Sequence, residues 1–167
     1  MGVRFRVGTL FGLGILLADR LVKIYILNNF ALGEVRPFIP GLMQLTYFQN
    51  TGMAFGFLGE HQWVPILLVP ILVAVLLALI WKYEWLPCPV CQFALVGMIA
   101  GGIGNWIDRL AYGFVVDMFE FTFVRFAIFN VADIFITLGG VVLVVAYMAS
   151  EWRTARAKRK EEGSSGE

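Results

Sequence analysis

The 167-residue chain has four aspartates, Asp19, Asp108, Asp117 and Asp133, and each stands in or beside an apolar run. A carboxylate charge in hydrocarbon costs several kcal/mol, so each needs a partner, a proton or a task. Asp19 and Lys23 are four residues apart, which puts them on one helix face as an ion pair. Asp108 precedes Arg109 in GNWIDRL, and the neighbouring guanidinium is expected to keep it ionised. Asp117, between GFVV and MFEF, and Asp133, in NVADIFI, have no cation beside them. Facing each other across a few ångströms, these two would share one proton and perform acid and base work together, the logic of aspartic proteases. Standing apart, each would hydrogen-bond a backbone end or a polar partner. The amides of Asn105 and Asn130, expected at the same level, can donate to a carboxylate or to a peptide carbonyl. Asn50 lies in a turn-like QNTG stretch whose Gly52 permits close backbone approach.

Those side chains need a scaffold, and the composition points to lipid as its solvent. The chain is 59% hydrophobic and 15% charged, with a mean hydropathy of +0.78, whereas soluble domains are roughly 45–50% apolar and about 25% charged. An all-α membrane protein is expected. Four segments, 6–27, 63–81, 89–107 and 129–148, approach the ~20 residues needed to cross ~30 Å of hydrocarbon. Pro65 and Pro70 early in the second should kink it only modestly, because neighbouring helices can satisfy the carbonyls they free. With four spans, Arg4, Arg6, Lys82, Arg153, Arg156, Lys158, Arg159 and Lys160 fall on one side, which the positive-inside rule makes cytoplasmic, together with both termini. Segments 28–62 and 108–128 then lie outside, and the four aspartates gather toward that face. MQLTYFQN and DMFEFTFVRF alternate in a strand-like way, so a small extracytoplasmic β-element and an amphipathic flap are expected. Residues 1–162 read as one membrane-embedded domain and 163–167 as an appended linker.

Other classes fit less well. A net charge of +1 argues against a nucleic-acid partner. Cys88 and Cys91 form a single CxxC, too little for structural zinc and without the βαβ context of a redox motif, so no metal or cofactor is expected. His61, near Trp63, reads as interfacial, and Glu34, Glu60, Glu84 and Glu120 as solvated or interfacial. Asp19, Arg20 and Lys23 interrupt the first apolar run, unlike a cleaved secretory signal. Internal repeats are absent, which weighs against an inverted-repeat transporter. A proton or ion translocator would use the aspartates as relay stations, but the inner halves of spans two to four hold no carboxylate. A non-enzymatic assembly factor would use the same acids and Arg109 only to hold the bundle together.

ADRLVK from Ala18, NTGMAFG from Asn50, GGIGNWIDR from Gly101, GFVVDMF from Gly113 and FNVADIFI from Phe129 together resemble the motifs of the lipoprotein signal peptidase family, the bacterial type II signal peptidases. That resemblance implies four transmembrane helices with a small extracytoplasmic β-cradle and a flap, in the bacterial cytoplasmic membrane, with the active site near the outer face. By position it implies that Asp117 and Asp133 are the catalytic pair. It places Asn50, Asn105, Arg109 and Asn130 on the substrate side, and Asp19, Lys23 and Asp108 in supporting roles. The implied substrate is a diacylglyceryl-modified prolipoprotein, cleaved just before its lipidated cysteine. Two carboxyls sharing a proton need no metal, and a protease that handles one helix at a time needs no partner subunit, so a monomer in contact with membrane lipids is expected. Val22 stands where the family often has Ser or Thr, and Ile134 where a small polar residue commonly follows the aspartate.

Overall fold

The computed structural model describes residues 2–52, 63–82 and 89–164. Its elements are α1 (Gly2–Asn29), β1 (Val35–Ile39), β2 (Met43–Asn50), α2 (Trp63–Lys82), α3 (Pro89–Tyr112), β3 (Val115–Phe121) and α4 (Val131–Ser164). Met53 to Gly56 of the NTGMAFG motif, Glu60, His61, Glu84 and Cys88 lie outside the described residues.

Two helices, Val90–Tyr112 and Val131–Arg156, are long and apolar enough to cross a membrane, and Val64–Ala78 is a shorter apolar helix. The protein itself buries only 11% of the most apolar window of α4. Val141, Val144, Val145 and Met148 on that helix are exposed, as are Leu10, Leu13, Leu17 and Leu21 on α1. Helices whose apolar surface the protein leaves uncovered are at home in hydrocarbon, not in water.

Helix α3 is the hub, packed against α1, α2 and α4. Small residues permit the contact: a Cβ built on Gly101 would stand 2.5 Å from the Ala132 carbonyl oxygen, and one on Gly139 2.7 Å from that of Ala94. Between α2 and α3 the bond expected of a proline kink is present. Pro70 has no N–H to give the carbonyl of Ile66 one turn earlier, and Trp106 Nε1 of α3 donates to that oxygen at 2.9 Å.

The strands form one antiparallel sheet in the order β1-β2-β3. MQLTYFQN is β2 in full, but DMFEFTFVRF is strand only as far as Phe121. Thr122 N–H turns to the Leu42 carbonyl, Phe123 is exposed, and the chain returns so that Phe129 bridges to Phe119. The stretch read as a flap is therefore part strand and part aromatic loop. β1 joins the strands expected from the alternation, and its Pro37 is tolerated because β1 is an edge. Ile26 and Phe30 at the end of α1 pack on Tyr47, Val116 and Met118, which fixes the sheet to the bundle. Gly113, with φ of 76°, ends α3 by donating to the Arg109 carbonyl, and thereby starts β3 directly below the helix.

Boundaries differ from the apolar windows. α3 continues past 107, so Asp108 and Arg109 are helical, and α4 continues past 148 into the segment read as a linker. Helical hydrogen bonding does not stop where hydrophobicity does. Two acids read as solvated also hold structure: Glu34 accepts from Ala31 N–H and pairs with Arg36, and Glu120 accepts from Gln44 and Thr46.

Replacing Gly101 with Val should destabilise the bundle by about 1–3 kcal/mol through overpacking, read as a lower melting temperature in detergent. Gly14→Ala, where a Cβ meets nothing within 4 Å, is the control that should not lower melting.

Candidate active site

Asp117 comes from the middle of β3 and is fully buried; Asp133 comes from the first turn of α4 and is half-buried. Asn130, just before α4, ties them together. Its Oδ1 accepts the Asp133 N–H at 3.0 Å, while Asp133 Oδ2 accepts the Asn130 N–H at 3.1 Å. This reciprocal capping box satisfies two backbone donors that a helix start otherwise leaves open. The remaining end of the Asn130 amide, Nδ2, donates to Asp117 Oδ1 at 2.6 Å and to Asn105 Oδ1 at 3.0 Å.

Each carboxyl receives a second amide. Asn50 Nδ2 donates to Asp117 Oδ2 at 2.8 Å, and Asn105 Nδ2 donates to Asp133 Oδ1 at 2.8 Å. The orientation of every amide is set by a group that can only donate: Gly52 N–H on Asn50 Oδ1, Asp133 N–H on Asn130 Oδ1, and Lys23 Nζ on Asn105 Oδ1. The sequence left open whether the two acids form a pair or merely hold a helix end. Asp133 caps its helix and is also joined through one residue to Asp117.

Behind this pair lies a buried ion cluster. Lys23 Nζ stands 2.8 Å from Asp19 and 2.9 Å from Asp108, and Arg20 stands 2.9 Å from the other oxygen of Asp108. Asp19 also accepts the Ala132 N–H at 3.0 Å and Asp108 the Val116 N–H at 3.2 Å, so each buried acid fixes the backbone next to one member of the pair. The expected Asp19–Lys23 contact is there. The expected Asp108–Arg109 contact is not among the ion pairs, because consecutive helix residues point to different faces. Arg109 instead reaches the carbonyls of Asn105 and Gly52, at 3.3 and 3.1 Å, and pins the loop after β2. Arg20 is the residue that sequence reasoning passed over; its signal was a second cation in an apolar helix with no acid of its own.

Asp117 and Asp133 open on a cavity of about 910 Å³. Asn50, Asn105 and Arg109 line its polar side, and Phe126, Ile134, Ile136 and Leu138 belong to its apolar side. Asn130, expected on the substrate side, is fully buried behind the pair. Burial, and then the charge of Asp133, push the Asp117 carboxyl up to about 7. Among the described residues no group of His, Cys, Asp or Glu is arranged to hold a metal ion.

The family model for signal peptidase (SPase) II, peptidase A8, matches residues 11–149. The chain is 42% identical over 141 residues to a lipoprotein signal peptidase of Streptococcus pyogenes serotype M5 (strain Manfredo), covering 80% of this chain and 87% of that one. The same figures hold for the lipoprotein signal peptidase of serotype M18 (strain MGAS8232). Two solved structures, both described as a bacterial membrane enzyme determined by the in meso method, share the fold. One aligns with a TM-score of 0.79 at 26% identity over 87% of this chain and 89% of that one. The other aligns with 0.71 at 27% identity over 84% and 92%.

Two stability outcomes follow. Lys23→Met leaves Asp19 without its cation and Asp108 with only Arg20, and should cost about 3–5 kcal/mol, seen as a large fall in melting temperature. The second is the pH dependence of Asp117→Asn. The Asp117 pKa is higher folded than its ordinary 3.8, so the stability it contributes is complete at acid pH and is lost as the pH rises through about 7. The melting temperature of the variant relative to the wild type should therefore be higher at about pH 8 than at about pH 4; melting curves at both values decide it.

Proposed function

The chain belongs to the signal peptidase II family, and on that premise we propose that Asp117 and Asp133 are the carboxyl pair with which it hydrolyses the peptide bond. It is an aspartic peptidase of a bacterial membrane that removes signal peptides from prolipoproteins. The observation that carries the assignment is Asn130. One residue bonds Asp117 through its side chain and Asp133 through both side chain and backbone, at the wall of a single cavity.

In the resting pair one carboxyl is protonated and the other ionised. The ionised member takes a proton from a water molecule, the water oxygen bonds to the scissile carbonyl carbon, and the protonated member gives its proton to the carbonyl oxygen. On collapse of the tetrahedral intermediate that last proton returns to its carboxyl, and the C–N bond breaks. The leaving nitrogen receives the proton taken from water, so the pair ends as it began. Arg109, Asn50 and Asn105 hold the substrate backbone beside the bond, and Asn130 positions the two acids from behind. The apolar side of the cavity suits the acyl chains of a diacylglyceryl cysteine and the signal helix that precedes it.

Residues 1–162 act as one membrane-embedded unit, a monomer in contact with lipid, with α1 to α4 as four spans, both termini in the cytoplasm and the sheet on the extracytoplasmic side. A lipid-bearing cysteine keeps its chains in the bilayer, so its scissile bond has to be met near the interface. The sheet-to-helix junction that carries Asp117 and Asp133 suits that depth.

Asp117→Asn and Asp133→Asn should each lower cleavage of a lipidated prolipoprotein in detergent by about 10³-fold or more, with folding retained. Wild-type turnover in either removes that residue from the chemistry. Because the Asp117 carboxyl titrates at about 7, wild-type kcat/KM should fall as the pH is raised through that value and the shared proton is lost. A rate that stays level to about pH 9 would contradict the shared-proton pair.

A further inference from the structure

We infer that Lys23 is a positioning residue for the reaction: through Asn105 it holds Asp133 as the ionised member of the pair, which leaves the proton with Asp117. This rests on the assignment of Asp117 and Asp133 as the catalytic pair and goes beyond it by giving the two acids different roles.

The argument begins with the hydrogens of one ammonium group. Lys23 is fully buried, and its Nζ has three donors and no acceptor. Two face Asp19 and Asp108, and the third faces Asn105 Oδ1 at 2.9 Å. Neutralising the two acids requires only the first two, and Arg20 already serves Asp108. The third contact has another consequence. Whichever end of the Asn105 amide meets an ammonium has to be the oxygen, so the NH2 end is turned to Asp133, where it donates to Oδ1 at 2.8 Å. The other oxygen of Asp133 accepts the Asn130 N–H. Both oxygens of this carboxyl therefore face donors that cannot reverse.

Asp117 is held differently. Its two donors are neutral amides, those of Asn50 and Asn130. Asp133 has in addition a peptide N–H at the positive end of a helix and a lysine charge one amide away. The charged and titratable groups that act on Asp133 are Asp19 and Lys23 from α1, Arg109 from α3 and Asp117 from β3. Among them Lys23 is the cation joined to Asp133 by a continuous hydrogen-bonded path. Burial of Asp117 in the sheet agrees with its keeping the proton. Asp133 is then the base that takes a proton from water, and Asp117 the acid that protonates the carbonyl.

The test uses two variants and a readout that structural weakening alone leaves in place. Asp19→Asn/Lys23→Met removes one ion pair whole and leaves Asp108 with Arg20. Asn105→Ala breaks the link between Lys23 and Asp133 without adding a charge beside the base. With a lipidated prolipoprotein in detergent, each should lower kcat by roughly 10²-fold, the double variant with KM within about twofold. Each should also move the acid limb of the kcat–pH profile upward by about one unit, because the base then holds its proton more readily. A lower melting temperature with an unmoved acid limb would make Lys23 a structural residue only and overturn the inference. If the double variant fails to fold, the profile of Asn105→Ala decides alone. Cleavage at the wild-type rate by Asp133→Asn would instead sink the pair assignment, an outcome distinct from the failure of Lys23.

Discussion

A charge that cannot reach water has to be neutralised where it stands, and the interior of this protein is arranged around that constraint. Lys23 supplies the positive charge, and Asp19 and Asp108 meet it from α1 and α3 at ion-pair distance. Removing either side strands the other in a medium where an unpaired charge costs several kcal/mol. The two acids then spend their remaining capacity on backbone N–H groups, Ala132 at the start of α4 and Val116 in β3. One cluster thereby fixes the two elements that carry Asp133 and Asp117.

Charge balance reaches the pair as well. Lys23, Arg20 and Arg109 give three cations against the four carboxyls of Asp19, Asp108, Asp117 and Asp133. One proton makes the assembly neutral, and that proton is what acid–base hydrolysis by two carboxyls requires. The elevated Asp117 carboxyl and the proposed ionised state of Asp133 express this balance at particular atoms. Hydrogen bonds that cap a helix and orient three amides serve as the supports of the proposed reaction, so structural and catalytic readings of the same residues do not compete. The capping box at Asn130 and Asp133 is the plainest case.

The scaffold follows from lipid as solvent. Apolar side chains point outward along α1 and α4, and glycines let α3 approach α4 closely enough for Asn105 to meet Asp133. Trp106 replaces the donor that Pro70 lacks, so a helix with a proline inside stays in register with the bundle. A three-stranded sheet closes one end, and its edge strand β3 sets Asp117 against the start of α4.

Much of this was legible in the linear chain. Hydropathy marked the four helical segments, period-two alternation marked β2 and the start of β3, and four-residue spacing marked the Asp19–Lys23 pair, because these signals are local and periodic. The aspartates announced themselves by their cost in apolar surroundings. Other features depended on which faces meet. That Asp108 pairs with Lys23 and Arg20 while Arg109 turns to Gly52 is set by rotation around α3, which adjacency in sequence does not reveal. That Asn130 stands behind the acids, not in the cavity, is set by the approach of β3 to α4. Strand β1, with a proline inside it, became a strand only because β2 offered it a partner. The sequence by itself determined which residues are costly to bury and where the helices run; tertiary structure alone decided which of those residues neutralise one another, since pairing across elements depends on distance in space.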